Sequence, residues 1–215
     1  MFEDRHDAGR KLAERLADYG GHRAVVLGLP RGGVVVGYEV SMALGLPLDV
    51  LVTHKLRAPQ EPELAIGAVA EDGSAEFDRQ AIKSLAVPEA YLRQEIDLQL
   101  TEARRRVQLY RGGRPLPSFK GKEVLLIDDG VATGYTALAG LRAVRALEPE
   151  RLVLAAPIIA ARTASWLATA ADAMVCLAEP SDFFAIGEFY RDFSQVSDDE
   201  VLSLLEAVRL ALAPA

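Results

Sequence analysis

The chain has 215 residues, half of them hydrophobic, a formal net charge of −7 and a single cysteine, Cys176. That is enough apolar material for one sizeable core. The acidic balance argues against non-specific nucleic-acid binding, which needs a basic surface, and a lone cysteine excludes an internal disulfide. Cys176 lies in an apolar run with no histidine nearby and reads as a small buried hydrophobe rather than a nucleophile. The opening MFEDRHDAGR is polar and acidic, unlike a secretory leader. The longest apolar run, 152–161, is too short to span a bilayer and contains Pro157, so a cytoplasmic protein with no membrane partner is expected.

In chain order, Ala8, Leu12, Leu16 and Tyr19 share one helical face, which predicts a helix over 7–19 ended by Gly20-Gly21. AVVLGL (24–29) reads as a strand buried on both sides. PRGG follows, then a helix over about 34–44 and a strand at 48–54. Short strands near 65–70 and 74–77 flank Asp72-Gly73, a hairpin signal. Leu92, Ile96, Leu100, Ala103, Val107 and Tyr110 form one stripe in a helix that begins near Pro88 and stops at Gly112-Gly113. Strands at 123–128, 151–157 and 173–177 alternate with helices at 134–147 and 161–170. A capping box at Ser197 opens a last helix that runs to about 212. The alternation implies an α/β fold, a doubly wound and mainly parallel sheet, with a helical insert at about 78–118 inside one domain spanning 1–215.

Ligands of such sheets bind at the carboxyl ends of strands. Three loops there carry chemistry: LPRGG, THKLRAP and DDGVATGYT. The last is the most informative. Asp128 and Asp129 close an apolar strand, and burying two unpartnered carboxylates side by side is costly. Ala132, Thr133, Gly134, Tyr135 and Thr136 then lead into a helix, whose N-terminus offers unpaired N–H groups and a partial positive charge, so the segment reads as a phosphate cradle. The acids would accept hydrogen bonds from the vicinal hydroxyls of a ribose and favour a ring turning cationic.

VLLIDDGVATGYT (124–136) resembles the thirteen-residue phosphoribosyl-pyrophosphate signature of the type I phosphoribosyltransferases, departing from it at Gly130, where the family usually has an aliphatic residue. GLPRGGVVV, PELAIGAVAE and FYRDFSQVSDDEV extend the resemblance over the whole chain, to a little-characterised bacterial group described as phosphoribosyltransferases. The resemblance implies that the loop with Arg31, Gly32 and Gly33 holds pyrophosphate, that Lys55, with Arg57 beside it, is directed at the same group, and that 58–64 is a mobile loop. Gln60, Glu61 and Glu63 make that loop acidic, and a purely solvated loop is an equal reading. A hood over the base is implied at about 178–215, where Phe183, Phe184 and Tyr190 would either stack on a planar base or pin the segment to the core. His6, His22 and His54 match no metal spacing; His54 adjoins Lys55 at a strand end, where it could touch the site, although the reading without a site role is favoured. Arg104 to Arg106 read as a solvated helix face.

The expected activity is transfer of ribose 5-phosphate from phosphoribosyl pyrophosphate to a nitrogenous base, with release of pyrophosphate. Asp128, Asp129 and Lys55 would be the catalytic groups. Magnesium would be held by substrate oxygens and water rather than by a protein cage, and a homodimer is the family expectation. The rivals are a regulatory protein that binds the sugar phosphate without turnover, and a hydrolase that opens the donor with water.

Overall fold

The computed structural model of the protein describes residues 1–21, 23–62 and 64–213; His22 and Glu63 lie outside the described residues. The elements run α1 (Arg5–Arg15), β1 (Ala24–Gly28), α2 (Gly32–Leu44), β2 (Leu48–Val50), β3 (Thr53–Arg57), β4 (Ala65–Ala70), β5 (Ala75–Phe77), α3 (Arg79–Ser84), α4 (Glu89–Arg111), β6 (Glu123–Ile127), α5 (Tyr135–Arg145), β7 (Arg151–Ile158), α6 (Ala161–Leu167), β8 (Ala173–Ala178) and α7 (Asp198–Ala211). Short 3₁₀ turns sit at Ala17–Tyr19 and Ile186–Phe189.

Five strands form a parallel sheet in the order β2-β1-β6-β7-β8. Its central strands are apolar on both faces because both are covered. Val26, Leu125 and Ile127 pack with Leu12 of α1, Leu16 at its end, and Val36 and Val40 of α2. Their neighbours Val25, Leu27, Val124 and Leu126 pack with Leu138, Leu141, Val144 and Leu167 of α5 and α6. The two-residue alternation of a strand thus divides one run of sequence between two cores. A second sheet, β3-β4-β5, is antiparallel and carries α3 and the first half of α4.

The run expected as one strand over 48–54 is two. β2 pairs with β1, and the main-sheet ladder then stops: the Leu51 amide goes to the Gly28 carbonyl, and the Val52 amide goes to the Glu71 side chain at 2.9 Å. Freed from the parallel sheet, the chain turns into β3 and pairs with β4, so Lys55 lies inside a strand rather than just beyond one. The first helix also begins and ends earlier than its apolar stripe suggests. The Asp4 side chain caps it, and the buried Leu16 and Tyr19 belong to a tighter closing turn.

The C-terminal hood is laced to the first residues of the chain. The Phe2 amide donates to the Phe189 carbonyl at 2.8 Å, the Arg191 amide to the Phe2 carbonyl at 2.8 Å and the Asp192 amide to the Glu3 carbonyl at 2.9 Å. Phe2 and Tyr190 pack under Phe183, Phe189 and Phe193. This lacing brings the start of α1 to the carboxyl edge of the main sheet. Among the described residues no helix is long and apolar enough to cross a membrane.

Candidate functional site

The carboxyl ends of β1 and β6, the β3–β4 hairpin, one face of α4 and the hood enclose a cleft of about 470 Å³. The loop after β1 lies directly on the end of β6. A Cβ on Gly33 would stand 2.5 Å from the Ile127 carbonyl oxygen and 2.9 Å from the Asp128 Cα, so only glycine lets the two loops meet. The Pro30–Arg31 peptide is cis. Because α2 starts at Gly32, the amides of its first turn open at this edge.

On the facing side α5 begins after Gly134, a left-handed N-cap (φ 83°) that makes no side-chain capping bond. Its first-turn N–H groups therefore remain available to a ligand. The loop is held from behind. Val131 bridges Ile159, and the Thr163 hydroxyl donates to the Ala132 carbonyl at 2.5 Å. Ala132, Thr133, Gly134 and Thr136 line the cleft. The Tyr135 ring turns away and rests 5.8 Å from that of Trp166. At Gly130, a Cβ would meet the Ile186 side chain at 2.5 Å, so Ile186 occupies the space that a larger side chain at this position would need.

The acid pair faces this space asymmetrically. Asp128 accepts the Asp129 amide at 2.9 Å; loss of solvent and then the Asp129 charge push its carboxyl well above the ordinary range, against the pull of that amide and of Lys55. Asp129 Oδ2 accepts from Arg5 Nε at 2.7 Å, and the Tyr190 hydroxyl donates to the Asp129 carbonyl at 2.6 Å. Arg5, Arg31, Lys55, Arg57 and Arg106 line the cleft against these two acids, in a chain whose net charge is −7. Such a local reversal of sign gives the cleft a field that attracts anions. His54 also lines it; loss of solvent, then the Arg106 charge, bring its imidazole down to about 4. Its Nε2 has no hydrogen-bond partner among the described residues.

The sequence-expected residues divide by place. Asp128, Asp129, Lys55, Arg31, Gly32, Ala132, Thr133, Gly134 and Thr136 all line one cleft, with Gly33 beneath them. The three hood aromatics do not line it. Phe184 is exposed, Phe183 stacks on Phe189 at 5.7 Å, and Tyr190 is buried with its hydroxyl on Asp129. Ile186 and Phe193 take the cleft-facing places instead. From the 58–64 loop, Pro62 lines the cleft, whereas Gln60 and Glu61 do not. His6 is bonded to Glu39 at 2.7 Å, away from it.

Sequence reasoning missed Arg5, Gln99 and Arg106, and took Arg106 for a solvated residue. Arg106 is on the cleft side of α4, Arg104 lines a separate cavity, and Arg105 pairs with Glu102 and Asp198 on the surface. The signal for Arg106 was its seven-residue spacing from Gln99, two turns along one helix face. That separate cavity, about 610 Å³ between α4 and α5, is larger but chiefly apolar, and no helix N-terminus opens into it. Among the described residues no group of three or more His, Cys, Asp or Glu side chains is arranged to hold a metal.

A parallel sheet that delivers two acids, a helix N-terminus and a basic loop to one cleft is the architecture of a type I phosphoribosyltransferase fold. The chain belongs to that family: residues 3–194 match the phosphoribosyl transferase domain. Two Mycobacterium tuberculosis proteins (strains CDC 1551 / Oshkosh and ATCC 25618 / H37Rv), which carry phosphoribosyl transferase names assigned provisionally, are each 45% identical over 219 residues. The match covers 100% of this chain but 48% of each relative, so the chain spans about half the length of those curated proteins. A crystal structure of a Thermus thermophilus protein superposes with a TM-score of 0.76 at 42% identity, covering 95% of this chain and 97% of that one.

Proposed function

We propose that the protein transfers ribose 5-phosphate from phosphoribosyl pyrophosphate to a ring nitrogen of a base and releases pyrophosphate. The observation that carries this reading is the juxtaposition in one cleft of the acid pair and the uncapped start of α5, with the cationic wall of Arg31, Lys55, Arg57 and Arg106 across from them. The 5-phosphate sits on the amides of 132–136. The ribose hydroxyls donate to Asp128 and Asp129, whose charge favours the cationic character that develops at C1. Arg31 and Lys55 bind the departing pyrophosphate, with the α2 amides beneath it.

The bond from C1 to the pyrophosphate oxygen breaks as the base nitrogen bonds to C1 from the opposite face. The oxygen keeps the electron pair, and the nitrogen's proton leaves to solvent. Holding the partners in line is worth about 7–11 kcal/mol of barrier. Magnesium would enter with the donor and be held chiefly by pyrophosphate and ribose oxygens, with Asp128 and Asp129 as the nearest protein carboxylates, and it would neutralise charge on the leaving group. A small molecule, not a nucleic acid, is the partner.

The regulatory reading has one observation in its favour. Among the described residues the histidine lining the cleft is His54, which is neutral and brought down to about 4, a weak base near neutral pH. Pyrophosphate release from the donor with magnesium and a panel of bases, beside calorimetry with the donor alone, separates the readings. Base-dependent release supports transfer. Binding without release for any base supports regulation, and release without base supports hydrolysis. Asp128→Asn combined with Asp129→Asn is expected to abolish donor binding or turnover in a folded protein; unchanged kinetics would remove the assignment.

A further inference from the structure

Arg5 stands at the junction that the transfer reading leaves for the acceptor. Its Nε donates to Asp129 Oδ2 at 2.7 Å and its Nη1 to the Ser194 carbonyl at 2.8 Å. Its guanidinium carbon lies 3.8 Å from the centre of the Phe193 ring. A Cβ on Gly32 would stand 1.8 Å from Asp129 Oδ2 and 2.7 Å from Arg5 Nε, so the pair rests on the bare backbone of the first loop. One side chain thus touches the acid pair, the pyrophosphate loop and the hood at once. It is 11% exposed and lines the cleft. Stacking and two hydrogen bonds fix its plane. Nη2 makes no bond to a described residue.

We propose that Arg5 selects the acceptor by donating from Nη2 to an oxygen on the acceptor ring, so that the protein takes oxo- or carboxylate-bearing nitrogen heterocycles and discriminates against rings with an amino group at that place. The inference rests on the transfer reading, in which sugar hydroxyls lie at the acids and the acceptor joins between sugar and hood. Guanidinium has donors only and keeps its charge at any working pH. A ring oxygen completes the fork, whereas an amino group there sets N–H against N–H. The guanidinium also covers the Phe193 face that a planar base would otherwise use, so this wall reads hydrogen-bond polarity.

The test is calorimetry on the full chain with ribose 5-phosphate and with two nucleotide pairs: inosine against adenosine 5′-monophosphate, and uridine against cytidine 5′-monophosphate. The wild type is expected to bind the oxo member of at least one pair about tenfold or more tightly, the worth of a charge-assisted hydrogen bond. Arg5→Gln, whose amide both donates and accepts, is expected to bring that ratio within about threefold, and to change it more than it changes the affinity for ribose 5-phosphate. If a melting curve shows that Arg5→Gln is unfolded, Arg5→Met, which keeps an unbranched apolar stem and has no donor, is judged by the same fall in ratio. Equal affinities, preference for the amino members, or a ratio that survives the substitution overturns the inference. Failure of the folded wild type to bind ribose 5-phosphate is a separate outcome, which overturns the transfer reading and the inference with it.

Discussion

Two arginine–carboxylate pairs of similar burial serve opposite ends here. Arg111 and Glu71 (side chains 4% and 12% exposed) close the junction where β2 gives way to β3, and the second Glu71 oxygen accepts the Val52 amide. Arg5 and Asp129 (11% and 13%) stand in the wall of the cleft. Glu71 is committed on both oxygens to the fold. Asp129 has one oxygen on Arg5 and its carboxylate still borders open space. Both pairs border a cavity, since Arg111 and Glu71 line the apolar one between α4 and α5; what distinguishes them is the carboxylate, which has a partner on each oxygen in Glu71 and, in Asp129, one oxygen on Arg5 and the other facing the cleft.

The sharpest way to break this distinction is to remove the arginine from each pair. Arg111→Ala leaves the Glu71 carboxylate desolvated beside Asp49, whose own carboxyl burial already pushes up. Urea unfolding is expected to show a loss of about 3–5 kcal/mol. Arg5→Ala exposes Asp129 to cleft water, and a loss below about 2 kcal/mol is expected. Equal losses would mean that Arg5 is a fold residue and that the comparison fails.

The two pairs also differ in how legible they were. Asp129 announced itself, because adjacent acids at a strand end, followed by a small-residue loop, have a local chemical reason. So did Arg31, Gly32 and Gly33, in a loop of the same kind. Arg5 did not: its partner is 124 residues away, and only the lacing of Phe2 and Glu3 to 189–192 brings it to the edge. The parallel sheet followed from alternating strands and helices, but the break at 51–52 depends on a side chain, Glu71, capturing a backbone amide from 19 residues away. The α4 stripe was legible as apolar. Yet the most buried positions of that helix include Glu95, Gln99 and Arg111, since Glu95 accepts the Arg57 amide at 3.0 Å and the Gln99 side chain at 3.0 Å. Polar burial of this kind is set by tertiary partners: the spacing of Glu95, Gln99 and Arg106 marks a shared face but not that the face is buried.

Acidity offers a second probe of the cleft. The carboxyl of Asp128 is raised, chiefly by loss of solvent and then by Asp129. A carboxyl raised in the folded protein is protonated there at a pH where the unfolded chain has already released its proton, so its contribution to stability is full at low pH and declines as pH rises through the folded value. Ligand binding runs the other way, since hydroxyl acceptance needs the ionised form. Donor affinity is therefore expected to fall, by up to about tenfold per pH unit, on an acid limb lying above the ordinary carboxylate range, and Asp128→Asn should remove that limb. A limb at ordinary carboxylate pH, or one that persists in the variant, would show that Asp128 does not face the ligand.

The smallest expected effect concerns support that carries no charge. Thr163 is 1% exposed and gives its hydroxyl proton to the Ala132 carbonyl, while its methyl, with the edge of Trp166, packs where Gly134 would carry a Cβ. The cleft-lining loop before α5 is thus shaped from behind by α6. Thr163→Val keeps the volume and deletes the hydrogen bond, a change of about 0.5–1.5 kcal/mol. If the hydroxyl only fills the core, that cost appears in urea unfolding and ribose 5-phosphate affinity is unchanged. If it positions the cradle, affinity falls about three- to tenfold, and ribose, which lacks the phosphate, shows no matching loss. The phosphate-specific result is expected, because the carbonyl that Thr163 holds belongs to the loop residue two positions ahead of the helix cap. Equal losses for ribose and its phosphate would place the disturbance at the acid pair instead.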